Sequence, residues 1–177
     1  MHIYMSMRIR KGTFETNSSS VHSLVVCKGD IKDIPDSIMF DLGEFGWEQS
    51  LYADRNVKAT YINTALWQYF VEWNKDKTKY YEYQKKITDI LKSCGVEASW
   101  KDIEKLDKND FYFVDHVTEL ITIINDFIET PELLIKWLCN GKSLLITDND
   151  NDGCEFVSEY SKEYAGNPGY EIFWKSN

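Results

Sequence analysis

The stretch Met7-Arg8-Ile9-Arg10-Lys11-Gly12-Thr13-Phe14-Glu15-Thr16-Asn17-Ser18-Ser19-Ser20-Val21-His22-Ser23-Leu24-Val25-Val26-Cys27 decides how this chain is read. Met7 to Arg10 alternate apolar with basic residues, and Val21 with Leu24–Cys27 is rich in β-forming side chains. Alternation, a polar break and a β-rich return predict a β-hairpin over residues 7–27. A minimal hairpin closes on two turn residues. This tip is longer, and Phe14–Ser23 carries a carboxylate, an amide, five hydroxyls and an imidazole. Such a tip is expected to project and to grip something other than the protein itself.

Working outward, Lys28-Gly29-Asp30 reads as a turn and Pro35-Asp36 as a break before a strand at Ser37–Leu42. Gly43-Glu44-Phe45-Gly46-Trp47-Glu48 reads as an irregular second tip. Helical spacing then takes over. One helix is predicted from about Val57 to Trp73 behind an Asn56 cap, and a second over Thr78–Ser93 stopped by Gly95. Ser99-Trp100-Lys101-Asp102 resembles a capping signal for a short helix to Leu106, with Asp in place of the usual Glu or Gln. The clearest predicted helix is Asp115–Glu129, with a wide apolar stripe. Thr130-Pro131 opens a helix to Cys139 that Asn140-Gly141 ends. Leu144–Thr147 and Tyr170–Trp174 close the chain as strands. Strands at both ends and helices between them predict an α+β fold. It has a mostly antiparallel sheet, an N-terminal β-hairpin and a central group of four to five helices. All 177 residues read as one domain, with Met1–Ser6 as an upstream start or a disordered tail.

The formal charge of −9 argues against general nucleic-acid coating, which needs dense Lys and Arg. It suits a protein kept soluble by charge or one approaching a basic partner. The charge is uneven, with Arg8, Arg10 and Lys11 opening the hairpin and Lys75, Lys77, Lys79, Lys85 and Lys86 clustered in the middle. Cys27, Cys94, Cys139 and Cys154 show no metal-ligand or redox spacing, which predicts free thiols in a reducing cytoplasm. No apolar run is long enough to span a membrane and no secretory leader is apparent, so a membrane partner is not expected.

Four segments carry candidate chemistry. The first is the hairpin tip, where hydroxyls and exposed N–H groups could bind phosphate and His22 could act as general acid or base with Glu15. The alternative is a Ser-rich loop whose hydroxyls bond their own backbone. A catalytic His22 predicts that His22→Ala abolishes turnover and leaves the thermal midpoint nearly unchanged. In the second tip, Glu44 and Glu48 could form a carboxylate pair with Trp47 stacking a base; the alternative is a glycine-kinked turn with an aromatic plug. His116, beside Asp115 at a helix start, could pair with His22 as a second proton carrier or simply cap the helix. Fourth, Asp148, Asp150, Asp152, Gly153 and Glu159 match the EF-hand calcium-loop pattern. The residues before them look like a strand, and Glu155 stands where such loops want an aliphatic residue. An acidic turn between strands is therefore expected, with no cofactor, and calcium is the alternative.

Arg10–Ser23 resembles the opening of a family of small proteins carried by phages and other mobile elements, and Gly43–Glu48 resembles that family's second signature. Asp115-His116 and the Asp148–Asp152 turn are similar to weaker later signatures. The resemblance covers the first 50 residues well and the rest loosely. Some similar mobile-element proteins of this size are anti-CRISPR inhibitors of type II-A Cas9, one of them associated with an N-terminal hairpin and loss of intact guide RNA. The resemblance implies an antagonist of a host nucleic-acid-guided defence, with the Cas9–guide RNA complex as partner. Arg8, Arg10 and Lys11 would hold phosphates, and Asn17, Ser18, Ser19 and Ser20 would contact the target. Glu15 and His22 would matter most if RNA is cut. The competing expectation is a stand-alone enzyme acting on a nucleotide or RNA phosphate, with Glu15, His22, Glu44 and His116 in one pocket.

Overall fold

A computed structural model describes residues 20–46, 48–107, 110–149 and 163–176. Strand β1 (Ser20–Cys27) lies inside a four-stranded antiparallel sheet with β4 (Ser50–Tyr52), β7 (Leu144–Asn149) and β8 (Tyr170–Lys175), in the order β4-β7-β1-β8. Every residue of β1 is buried. Successive side chains leave opposite faces of a strand. Leu24 and Val26 accordingly join the large helical core, while Val21 and Val25 join a smaller cluster with Ile146, flanked by Leu144, Tyr164, Tyr170 and Ile172. From Ser23 to Val25 both edges of β1 are taken, by β7 on one side and β8 on the other. The hairpin partner expected at Met7–Lys11 lies outside the described residues.

The helices cover the face of the sheet that carries Leu24 and Val26. They are α1 (Arg55–Leu66), α2 (Lys77–Ser93), α3 (Val117–Glu129) and α4 (Pro131–Cys139). Asp54, not Asn56, caps α1: its carboxylate accepts from the Asn56 and Val57 N–H groups, while Asn56 Oδ1 accepts from the Met39 N–H. The helix then continues as a seven-residue π-helical segment, Trp67–Trp73, before a left-handed Lys75 turns the chain into α2. Gly95 ends α2 at φ +83°, a backbone region that glycine enters without steric cost.

Two further expectations need correcting. The short helix predicted from Ser99 to Leu106 is instead strand β5 (Glu97–Trp100), running parallel to β2 (Ser37–Phe40). Only a single 3₁₀ turn, Ile103–Lys105, follows it behind Asp102. Trp100 decides this: it stacks on Phe40 at 3.9 Å, and its indole N–H donates to Thr88. The second tip is also more regular than its composition suggests. Glu44–Phe45 form β3, parallel to β6 (Phe113–Val114). The main sheet is thus wholly antiparallel, with two short parallel pairs beside it.

Candidate functional site

The ends of β1, β3 and β6 bring the signature segments to one place. Phe113 N–H donates to Gly43 O and Asp115 N–H to Phe45 O, so the β3–β6 pair fixes Asp115-His116 beside the second signature. Val21 pairs with Asp148 and His22 with Thr147 across the β1–β7 ladder, which adds Asp148, the first residue of the fourth segment. His22 shares the helix-facing side of β1 with Leu24, two residues on. Its ring lies 5.6 Å from Tyr61 of α1 and 5.5 Å from His116, between ring centroids.

Every polar atom of His22 is engaged. Nε2 lies 3.1 Å from Gly46 O, and Nδ1 lies 2.8 Å from the Tyr61 hydroxyl. A carbonyl only accepts, so Nε2 carries the proton and donates to Gly46; Nδ1 accepts from Tyr61. The backbone N–H of His22 donates to Ser176 Oγ, and its carbonyl accepts from the Ser176 N–H. Burial holds the imidazole down to about 4. The Gly46 carbonyl and Asp115 oppose that shift, and His116 adds to it. His22 is therefore neutral at pH 7. Burial also raises Tyr61 well above its usual value, so its hydroxyl remains a donor.

Around this ring the contacts interlock. Ser20 Oγ donates to Asp115 Oδ2 at 2.6 Å, while Asp115 Oδ1 accepts from the His116 N–H at 2.9 Å. His116 Nε2 donates to the Ser20 carbonyl at 2.9 Å, and its ring meets Trp174 edge-on at 6.1 Å. Its φ of +56° is left-handed, a conformation that non-glycine residues hold only when their surroundings fix it. The Ser20 carbonyl and the Asp115 carboxylate do that here. Glu48 folds back so that its carboxylate accepts from the Gly46 N–H and from the Tyr52 hydroxyl. Its own carbonyl accepts from Thr147 Oγ1. The Gly46 carbonyl is thereby held at His22.

Of the residues singled out from the sequence, Ser20, His22, Glu48, His116 and Asp148 gather at this end of the sheet. Glu44 does not: it is exposed, and the alternation of β3 sends it away from Phe45, whose ring meets Tyr61. Ser20 and His22 are fully buried members of β1 and do not form an outward grip. Asp148 is buried inside β7. Arg8, Arg10, Lys11, Glu15, Asn17, Ser18, Ser19, Trp47, Asp150, Asp152 and Glu159 lie outside the described residues. Among the described residues no three His, Cys, Asp or Glu side chains are grouped to hold a metal ion. No described helix is long and apolar enough to cross a membrane.

Sequence reading missed Tyr61, Thr147 and Ser176 as members of the hub. Tyr61 sits at helical spacing among core residues and passes for packing. Its one signal is a hydroxyl at a core position, where buried tyrosines usually find a partner. The chain matches no protein-family model, no curated protein and no solved structure at a significant level.

Proposed function

We propose that this chain is a mobile-element antagonist of a host nucleic-acid-guided defence, acting on a Cas9-type nuclease–guide RNA complex by binding rather than by cutting. The observation that carries the binding mode is the state of His22. The residue best suited by type to move protons is buried, neutral, and bonded through both ring nitrogens. A general base needs a free lone pair within reach of its substrate. The hub is better suited to hold the signature segments in a fixed relation, as a preorganised platform. The choice of target is supported by the resemblance of Arg10–Ser23 and Gly43–Glu48, and by a net charge of −9 that complements a basic nucleic-acid-binding surface.

A second reading, an enzyme acting on a nucleotide or RNA phosphate, is favoured by one observation. His116 is only half-buried and stands beside the Ser20–Asp115 pair, within ring contact of His22. One experiment separates the two. Guide RNA is incubated with the protein, with and without Cas9, and resolved on a gel, while the Cas9 mixture is also run on a sizing column. Binding predicts co-elution with the nuclease complex and free RNA left uncut. Cleavage of free RNA, lost in His116→Ala, would replace the first reading by the second.

A further inference from the structure

The pairing that buries Phe45 turns a second set of side chains outward. Glu44 is paired with Phe113 across the parallel β3–β6 ladder, and paired residues share one face of a sheet. Phe45 and Val114 are buried on the other face. Phe111, two residues before Phe113, returns to the outward face. Its ring stacks on Phe113 with 18° between the planes and 6.1 Å between the centroids. Phe111 is 58% exposed, the most of any large apolar side chain among the described residues. Glu44 is exposed beside the two rings and makes no hydrogen bond or ion pair among the described residues. The Phe113 ring lies against Gly46, whose carbonyl holds His22, so this shelf is seated on the hub.

The charge beside the shelf is negative. The sequence from Asp33 to Asp54 and from Asn109 to Ile135 holds no Lys or Arg. Lys108 lies outside the described residues. Asp41 is offset by Lys101, and Asp110, exposed beside Phe111, accepts from the Tyr112 hydroxyl. The Glu44 carboxylate is left without a cation next to two stacked rings. A nucleic acid would bring phosphates against Glu44 and Asp110. An apolar segment would desolvate Glu44 with nothing to pair it. A lysine ammonium is compact and strongly hydrated, and it matches the carboxylate alone. A guanidinium is planar and weakly hydrated, so it lies flat on an aromatic face and forks onto a carboxylate.

We infer that the Phe111–Phe113–Glu44 shelf docks an arginine of a basic protein surface, its guanidinium stacked on Phe111 and forked onto Glu44. The choice of a protein partner rests on the binding reading above; the geometry of the shelf does not. The test is fluorescence anisotropy of a labelled arginine–glycine repeat peptide with the full chain, against the same peptide with lysine in place of arginine. At low salt the arginine peptide is expected to bind at least about fivefold tighter than the lysine peptide. Phe111→Ala and Glu44→Gln should each weaken it at least about fivefold, with the thermal midpoint unchanged. Glu129→Gln, at an exposed carboxylate on the far end of α3, should change it less than about twofold. No binding, equal binding of the two peptides, or indifference to either shelf substitution would each overturn the inference. So would a dimer in solution that Glu44→Gln converts to monomer, which would give the shelf to a second copy of the chain. Failure of the peptide with continued co-elution on the nuclease complex would remove the shelf alone. Peptide binding as expected without co-elution would remove the proposed target alone.

Discussion

His22 shows how one side chain can carry catalytic chemistry in its type and a structural role in its position. Its ring joins β1, α1 and the Gly46 loop, so removing it leaves a buried carbonyl and a buried hydroxyl without partners. His22→Ala is therefore expected to cost about 2–4 kcal/mol and to lower the thermal midpoint clearly. That reverses the expectation for a catalytic histidine. The same residue makes stability depend on pH. Its folded pKa of about 4 lies below the unfolded value of 6.5, so between those values the unfolded chain binds more protons. This contribution is fully present above about pH 6.5 and is lost as pH falls to about 4, in total about 3 kcal/mol. Urea melts at pH 7.0 and 4.5 should show the loss in the wild type and a smaller loss in His22→Gln. Nitrogen NMR should find the proton on Nε2 at neutral pH; a proton on Nδ1 would contradict the Gly46 and Tyr61 bonds.

The end of α4 depends on a helix far from it in sequence. Lys58 of α1 is fully buried, and its ammonium donates to the carbonyls of Trp137, Asn140 and Ser143 at 2.7, 3.0 and 2.9 Å. Burial draws its pKa down to about 7, yet three acceptors match the three N–H bonds of an ammonium and favour the charged form. Arg55 adds a fourth bond, to the Cys139 carbonyl. Together they satisfy the Trp137 and Cys139 carbonyls in the last turn of α4 and the Asn140 and Ser143 carbonyls of the turn after it. Lys58→Met should cost about 3–5 kcal/mol, because it orphans three carbonyls at once. A chemical-denaturation midpoint is the measurement. A loss below about 1 kcal/mol would mean that water reaches this turn.

The molecule is closed by strands from opposite ends of the chain. β1 begins at Ser20, β8 ends at Lys175, and the two pair along Ser23–Cys27. β8 also supplies Tyr170 and Ile172 to the smaller core and Phe173 and Trp174 to the larger one. A chain stopped before Tyr170 is expected to expose one edge of β1 and both cores, and to bind a hydrophobic dye or aggregate. Retention of a sharp thermal transition in that truncation would refute the account. Contacts of such long sequence separation also predict slow folding, milliseconds to seconds, measurable by stopped-flow refolding.

The sequence by itself showed the α+β class, the four main helices and the strand segments Leu24–Cys27, Leu144–Thr147 and Tyr170–Trp174, because apolar spacing is a local property that burial requires. Its polar segments include Ser20, His22, Glu48, His116 and Asp148, which lie together at one end of the sheet. It left three matters to long-range packing. Ser99-Trp100 became a strand because a tryptophan found Phe40 and Thr88. Ser20 and His22 turned inward because β8 and β7 occupy the edges of β1 while α1 covers one face. Glu44 left the cluster because the β3–β6 pairing buried Phe45 in its stead. A side chain's type states which bonds it is able to make; the partners that use up those of His22 come from residues 24 to 154 positions away, and no spacing rule reaches that far.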